Sequence, residues 1–211
     1  MEEVDKLLLG YQRFLVKYKN RHNPLFNSLQ NQQNPKILLI GCCDSRVDPA
    51  ILTDADPGDI FVIRNVANLV PPYEEKWDSK HGTSAAIEFA VKNLQVEHII
   101  VLGHSNCGGI KSLVNGDNAH NISNQFSFIK GWIDIIRDII SYMPKDLSVE
   151  KQIKYCEHEG IKVSINNLIS FPFIEEKINN NTLKVHGWYF NLEEISLYIL
   201  DEDFREFKKY L

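Results

Sequence analysis

The most constraining feature of the sequence is a short apolar run that ends abruptly in a polar, glycine-led hexapeptide. Residues 37–40 are Ile-Leu-Leu-Ile, and residues 41–46 are Gly-Cys-Cys-Asp-Ser-Arg. An unbroken apolar run of this length is typical of a strand buried on both faces of a parallel sheet. In open α/β sheets, ligands bind at the carboxyl ends of such strands. The hexapeptide is therefore the first candidate for a binding site.

Side-chain alternation along an extended chain divides this hexapeptide into two sets. Cys42, Asp44 and Arg46 should share one side, and Cys43 and Ser45 the other. The first side then combines a thiol, a carboxylate and a guanidinium group. Charged groups are costly to bury unless they are paired or bind a metal. We therefore expect a functional role for the side that carries Cys42.

A second polar stretch follows another apolar run, residues 98–102, which predicts a central strand. Beyond that run, His104 and Cys107 are three residues apart. Taken singly, a cysteine or histidine of this kind is more often an inert core residue. Together with Cys42, at the ends of two strands, they match the ligands that zinc prefers. Three protein ligands leave a fourth position for water, whose pKa falls toward about 7 in catalytic zinc sites.

Asp44 leaves two alternatives open for such a site. Its carboxylate could take the fourth position and close the site. It could instead pair with Arg46 in a charge-assisted contact and leave that position to water. The first arrangement has no room for a reacting water, whereas the second does.

The rest of the chain alternates predicted strands and helices. This order predicts an α/β fold with a mostly parallel four-stranded sheet, an antiparallel fifth strand at the edge, and flanking helices. Strands are predicted at 36–40, 60–63, 98–102, 183–189 and 195–200, and helices at 1–19, 25–29, 49–52, 83–94, 107–114, 121–143 and 149–169. The first helix is amphipathic, and its apolar face must pack either on its own domain or on a partner.

Composition and charge exclude several other classes of function. The chain has 23 Lys+Arg against 28 Asp+Glu, a net charge of −5, and no basic cluster of the kind that binds nucleic acid. The N-terminus lacks the pattern of a signal peptide, and no apolar run approaches the ~20 residues of a membrane helix. We therefore expect a cytoplasmic protein, in which four cysteines favour metal ligation or core packing over disulfides.

Taken together, the two polar stretches resemble the zinc motifs of the β-class carbonic anhydrases. That family carries Cys-x-Asp-Ser-Arg and His-x-x-Cys, which match residues 42–46 and 104–107 of this chain. The likeness extends through segments 61–68, 85–88 and 186–189, and so covers most of residues 33–190.

The resemblance implies one zinc ion per subunit on Cys42, His104 and Cys107, and a catalytic pair formed by Asp44 and Arg46. The implied reaction is the reversible hydration of carbon dioxide to bicarbonate and a proton, by attack of zinc-bound hydroxide that the pair orients. The resemblance also implies a homodimer or a higher homo-oligomer such as a homotetramer. Residues 1–32 would form a helical arm on the partner subunit, and residues 33–211 the catalytic domain.

The family has two subclasses, which differ in how Asp44 and the substrate are handled. In one, the aspartate ligates zinc at lower pH, and a Trp, Arg and Tyr trio binds bicarbonate. This chain has Leu39 at the Trp position, although Arg64 is present. In the other, a glutamine binds substrate across the dimer interface, and Gln33 matches it. The substrate-pocket residues that the resemblance implies are Gln33, Phe61, Val66, Phe89 and Gly108. We therefore expect the open form of the site.

Two positions depart from the second subclass. Phe89 stands where its members often have Tyr, and Asn93 stands where plant forms have His. Both positions have been linked with proton transfer in the family. We therefore expect hydration itself to survive and turnover to depend on buffer as a proton acceptor.

Two rival functions use the same motifs. The scaffold could hydrolyse a sulfur analogue of carbon dioxide, such as carbon disulfide. Alternatively, the chain could be a non-catalytic, zinc-stabilised dimer whose site Asp44 closes permanently. The presence of both Arg46 and Gln33 favours a catalytic site over the second of these rivals.

Overall fold

The computed structural model describes residues 2–19, 24–75, 81–115, 127–201, 203 and 205–211. The chain divides into two compact units, Met1–Asn34 and Pro35–Leu211. The first unit contains helices α1 (Glu2–Tyr18) and α2 (Pro24–Leu29). Both helices lie where the hydrophobic pattern predicts them.

Aromatic rings hold the two helices of the first unit together. Phe26 of α2 packs against Phe14 and Tyr18 of α1, with ring centroids 5.8 and 5.1 Å apart. No residue of α1 is buried, and its apolar side chains Leu7, Leu8 and Tyr11 are each more than half exposed.

A six-stranded sheet forms the centre of the second unit, in the order β2-β1-β3-β4-β5-β6. Its strands are β1 (Ile37–Cys42), β2 (Ile60–Asn65), β3 (His98–His104), β4 (Lys184–Asn191), β5 (Ser196–Leu200) and β6 (Phe207–Lys209). The first four are parallel, and β5 and β6 are antiparallel. The predicted fold class is confirmed. The edge strand is β6 rather than β5, because three residues are too few for a recognisable alternation.

Helices cover both faces of this sheet. They are α3 (Pro49–Thr53), α4 (Gly82–Glu88), α5 (Gly108–Asn115), α6 (Ser127–Ile133), α7 (Ile139–Tyr142), α8 (Val149–Ile169) and α9 (Pro172–Asn179). A π-helical turn, Phe89–Asn93, continues α4. Helix α9 was not predicted, although Pro172 at its first position is a common start signal. No helix among the described residues is both long and apolar enough to span a membrane.

The long helix predicted for residues 121–143 is wrong over its described part. Residues 121–126 lie outside the described residues, and the remainder forms α6, a 3-10 turn at Asp134–Ile136 and α7. Backbone hydrogen bonds to the third preceding residue, at 3.0–3.1 Å, tighten this segment. The isoleucine-rich stretch Ile133–Ile140 contributes to the break, because β-branched side chains crowd the preceding helical turn.

Helix α8 approaches the sheet closely where two strands carry glycine. A Cβ atom at Gly103 of β3 would lie 2.7 Å from Ile161 Cδ1, and one at Gly187 of β4 would lie 3.1 Å from Ile161 Cγ2. Ile161 is fully buried. Because the glycines have no side chain, α8 can pack directly against the sheet just before β3 ends.

Candidate active site

Two predicted metal ligands end neighbouring parallel strands. Cys42 is the last residue of β1 and His104 the last residue of β3, and these strands pair directly. Cys107 follows one turn later, immediately before α5. Cys42 is buried and Cys43 is exposed, as side-chain alternation predicts.

The ligand atoms of these three residues converge at one point. The Sγ atoms of Cys42 and Cys107 are 3.9 Å apart, and all three ligand atoms lie within 4.8 Å of one another. Two sulfurs about 2.3 Å from a tetrahedral zinc ion would be about 3.8 Å apart. The observed separation fits such an ion closely.

The imidazole of His104 is prepared for ligation. Its Nδ1 lies 2.9 Å from the carbonyl oxygen of Ser105, so it donates a proton there. Its Nε2 is buried and has no hydrogen-bond partner among the described residues. A buried, unpaired nitrogen is costly, and a metal ion would remove that cost. Between the two thiols, hydrogen bonding from Cys107 lowers the pKa of Cys42, and the same contact raises the pKa of Cys107.

Asp44 and Arg46 form a bidentate ion pair beside these ligands. Arg46 donates from Nε to Oδ1 at 2.9 Å and from Nη2 to Oδ2 at 2.7 Å, and its backbone N also donates to Oδ1. Hydrogen bonding from the Arg46 side chain holds the pKa of Asp44 well below its usual range. Asp44 Oδ2 lies 3.9 Å from His104 Nε2. The carboxylate is thus ionised and close to the ligands, but both its oxygens are already engaged.

Arg64 is a second guanidinium at this site, and sequence reasoning did not foresee its contacts. It donates to the carbonyl oxygens of Cys42 and Asp44 at 2.9 and 2.8 Å, and to the carboxylate of Asp48 at 2.7 Å. Its donors therefore fix the backbone of the loop that presents the thiol and the carboxylate.

Glu157 of α8 was also missed. It is 4% exposed, and its oxygens accept from the backbone N of Cys107 at 3.1 Å and from the hydroxyl of Tyr189 at 2.8 Å. Burial raises the pKa of this carboxyl. A signal was present in the sequence, since Glu157, Ile161 and Ile165 recur at helical spacing on the buried face.

Two of the predicted substrate residues lie near the ligands. Val66 directly follows Asn65, which pairs with Cys42, and it belongs to the same core cluster as both cysteines. Gly108 is the first residue of α5, next to Cys107. Both positions border the side of the sheet on which the ligands converge.

Phe61 and Phe89 lie elsewhere in the same chain. Their rings pack together with centroids 5.9 Å apart. Phe61 pairs with Leu38 and packs against a different core cluster from the one that contains Cys42. It is also four residues from the end of β2, or about 13 Å along the strand. The structure therefore does not bring these two aromatics to this chain's own ligands.

Leu39 and Gln33 bear on the choice between the two subclasses. Leu39 is 1% exposed, lies three residues before Cys42 and belongs to the same core cluster. No polar side chain is offered at that position. Gln33 lies in the first unit, outside its helices.

Comparison with known proteins agrees with this geometry. The family model for carbonic anhydrases matches residues 37–197. Beta carbonic anhydrase 3 of Arabidopsis thaliana is 36% identical over 208 residues, covering 97% of this chain and 80% of that protein.

Solved structures of the same family are similar over nearly the whole chain. The β-carbonic anhydrase CcaA has a TM-score of 0.83 at 32% identity and covers 99% of this chain and 100% of that one. A structure from a study of two tetrameric β-carbonic anhydrases of Sordaria macrospora has a TM-score of 0.73 at 28% identity, covering 94% and 97%. The chain therefore belongs to the β-carbonic anhydrases, a family of lyases.

Proposed function

We propose that this chain catalyses the reversible hydration of carbon dioxide to bicarbonate and a proton, with one zinc ion held by Cys42, His104 and Cys107. The observation that carries the proposal is the convergence of two thiols with a buried imidazole nitrogen that has no hydrogen-bond partner among the described residues. Two thiolates and one imidazole suit zinc among the common divalent metals. A bound zinc ion would supply Lewis-acid activation of water.

The Asp44–Arg46 pair orients the reacting water in this proposal. Both carboxylate oxygens are held by Arg46, and Asp44 is ionised at neutral pH. Asp44 can therefore accept a hydrogen bond from the water and fix its lone pair toward carbon dioxide. To become a fourth ligand it would have to give up a bidentate contact. This favours an open site.

The surroundings of Cys42 also support an open site. Arg64 is engaged by two carbonyl oxygens and Asp48, and Leu39 provides no polar group beside it. A bicarbonate ion that closes the site by pairing with Arg64 would have to displace these contacts.

We further propose that a second copy of the chain completes the substrate pocket. Val66 and Gly108 would line it from the metal-binding chain. Phe61 and Phe89, which lie away from their own chain's ligands, would line it from the partner, together with Gln33 as a hydrogen-bond donor to substrate. The exposed apolar face of α1 needs a covering surface, which the same partner would provide. The result is a homodimer or a larger homo-oligomer.

Stopped-flow hydration of carbon dioxide tests this function when zinc content is measured on the same samples. The proposal predicts about one zinc per chain and turnover that is already present at neutral pH and rises with buffer concentration. A zinc-loaded protein that does not hydrate carbon dioxide would refute it. Activity confined to alkaline pH would refute the open form of the site.

A further inference from the structure

A buried carboxylate lies directly behind the loop that joins two of the predicted metal ligands. Glu157 is 4% exposed, and each of its oxygens accepts from a neutral donor, the backbone N of Cys107 and the hydroxyl of Tyr189. Burying a carboxylate costs free energy unless hydrogen bonds compensate for its loss of water. Its two donors belong to the loop of the predicted metal ligands and to the neighbouring strand β4.

The packing of α8 explains why Glu157 reaches this loop. Glu157 and Ile161 are four residues apart and so share one face of the helix. Ile161 contacts the sheet at Gly103, the residue before His104. Because the helix packs tightly against the strand at that point, Glu157, one helical turn before Ile161, lies where the chain leaves β3.

The loop is held at its other residues as well. The backbone N of Ser105 donates to the carbonyl of Phe190 at 2.9 Å, and its Oγ accepts from the backbone N of Leu192 at 2.8 Å. Asn106 adopts a left-handed backbone with φ 60°, and its carbonyl accepts from Arg46 at 3.3 Å. At Cys107, the described side chain that fixes the backbone amide is Glu157.

We propose that Glu157 is a positioning residue that directs the Cys107 thiolate toward the metal through the hydrogen bond between its carboxylate and the Cys107 amide, with Tyr189 holding the second oxygen. The inference rests on the proposed zinc site. The amide hydrogen bond fixes the backbone at Cys107, and the backbone sets the direction of the Cα–Cβ bond and hence the position of Sγ. Removing partners of this kind typically costs 10- to 100-fold in metal affinity.

A set of matched variants tests this role in the full-length zinc-loaded protein. Glu157→Ala removes the acceptor. Glu157→Gln keeps an oxygen for Cys107, removes the charge and presents an amide NH2 group to the Tyr189 hydroxyl, which can accept from it. Glu159→Gln is the control, because Glu159 lies on the same helix but pairs with Lys162 at 2.8 Å. The dissociation constant for zinc, measured by chelator competition, is the first readout. The absorption spectrum of the cobalt-substituted protein, which reports thiolate geometry, is the second.

The expected result separates positioning from charge. Glu157→Ala should bind zinc about 10- to 100-fold more weakly with an altered cobalt spectrum, whereas Glu157→Gln and Glu159→Gln should stay near the wild-type values. The proposal is overturned if Glu157→Ala keeps wild-type affinity and spectrum, or if Glu157→Gln is as weak as Glu157→Ala.

Tyr189→Phe covers the case in which Glu157→Ala is insoluble. This variant removes the hydrogen bond to the second oxygen and the hydroxyl's interaction with Ser105. Weaker zinc binding in it, beside a near-normal Glu157→Gln, supports the role of the Tyr189–Glu157 pair. Equal affinity in Tyr189→Phe, Glu157→Gln and wild type contradicts it. A wild-type protein that binds zinc without hydrating carbon dioxide refutes the proposed function alone, because both readouts here concern metal binding.

Discussion

Arg46 donates two hydrogen bonds to the two carboxylate oxygens of Asp44, from Nε at 2.9 Å and from Nη2 at 2.7 Å. Since Asp44 Oδ2 also lies 3.9 Å from Nε2 of His104, this pair of hydrogen bonds determines where the carboxylate stands relative to the cluster of Cys42, His104 and Cys107. A lysine at position 46 could make only a single point contact. In the proposed mechanism, this bidentate contact is the feature that keeps Asp44 orienting the water and not ligating the metal.

Arg46→Lys should lower kcat about 10- to 100-fold while zinc content stays at the wild-type level, because the water is misoriented and the ligands are untouched. Stopped-flow assays with metal analysis measure both quantities. Arg137→Lys is the control, since Arg137 pairs with Asp134 on the surface. A wild-type kcat in Arg46→Lys would mean that Asp44 works without the bidentate hydrogen bonds from position 46.

His158 should make the fold sensitive to acid. It is packed between the rings of Tyr189 and Phe207, its Nε2 has no hydrogen-bond partner among the described residues, and burial lowers its pKa to about 4, with Lys154 and Lys162 adding to the effect. The unfolded chain takes up this proton below its usual pKa of 6.5, whereas the folded chain does so only near 4. Stability is therefore lost as pH falls from about 6.5 to about 4.

The histidine contribution to the free energy of unfolding should be about 2 kcal/mol lower at about pH 5 than at about pH 7. Urea unfolding of wild type and His158→Phe at both pH values measures it. The variant should lose that part of the pH dependence. If both proteins lose stability equally on acidification, His158 is not the group responsible.

Gly103→Ala should destabilise the fold by about 1–3 kcal/mol, because the new Cβ would lie 2.7 Å from Ile161 Cδ1 and 2.9 Å from its Cγ1 in a closely packed contact. Denaturant unfolding measures the loss. Gly82→Ala is the matched control, since a Cβ there meets no atom within 4 Å. An equally stable Gly103→Ala would show that α8 can withdraw from β3 without cost.

Mixed dimers should reveal that each substrate pocket draws on two chains. Cys42→Ser and Phe61→Ala should each impair the homodimer, for loss of the metal and of the aromatic wall respectively. A mixed dimer of the two, purified through different tags, contains one pocket with native Cys42 and native Phe61. It should regain about half of the wild-type activity per dimer. No recovery would place Phe61 in the pocket of its own chain.

The cluster of Cys42, His104 and Cys107, which could hold a metal, could be predicted because local rules suffice for it. Alternation selects Cys42 over Cys43, and an apolar run that ends at glycine places His104 at a strand end; neighbouring parallel strands then bring the two together. Glu157 could not be connected with Cys107, because the contact joins residues 50 positions apart and depends on how α8 meets Gly103. Sequence patterns along one element carry no such information.

The predicted substrate residues show a similar limit of prediction from sequence. Resemblance marks Phe61 and Phe89 as pocket residues, but it gives no distance from Cys42, and the structure places Phe61 against a different core cluster, four residues before the end of β2. The helix predicted for 121–143 failed for a different reason. A run of apolar residues at helical spacing also fits a series of short turns, and hydrogen bonds to the third preceding residue decide between the two.

The central claim is that Cys42, His104 and Cys107 hold the zinc ion that hydrates carbon dioxide. The most direct measurement is stopped-flow hydration of carbon dioxide by wild type and Cys42→Ser, with zinc content determined on the same samples. The account predicts about one zinc per chain and rapid turnover in wild type, and loss of both in a Cys42→Ser protein that remains folded. A Cys42→Ser protein with full zinc content and undiminished hydration would contradict it.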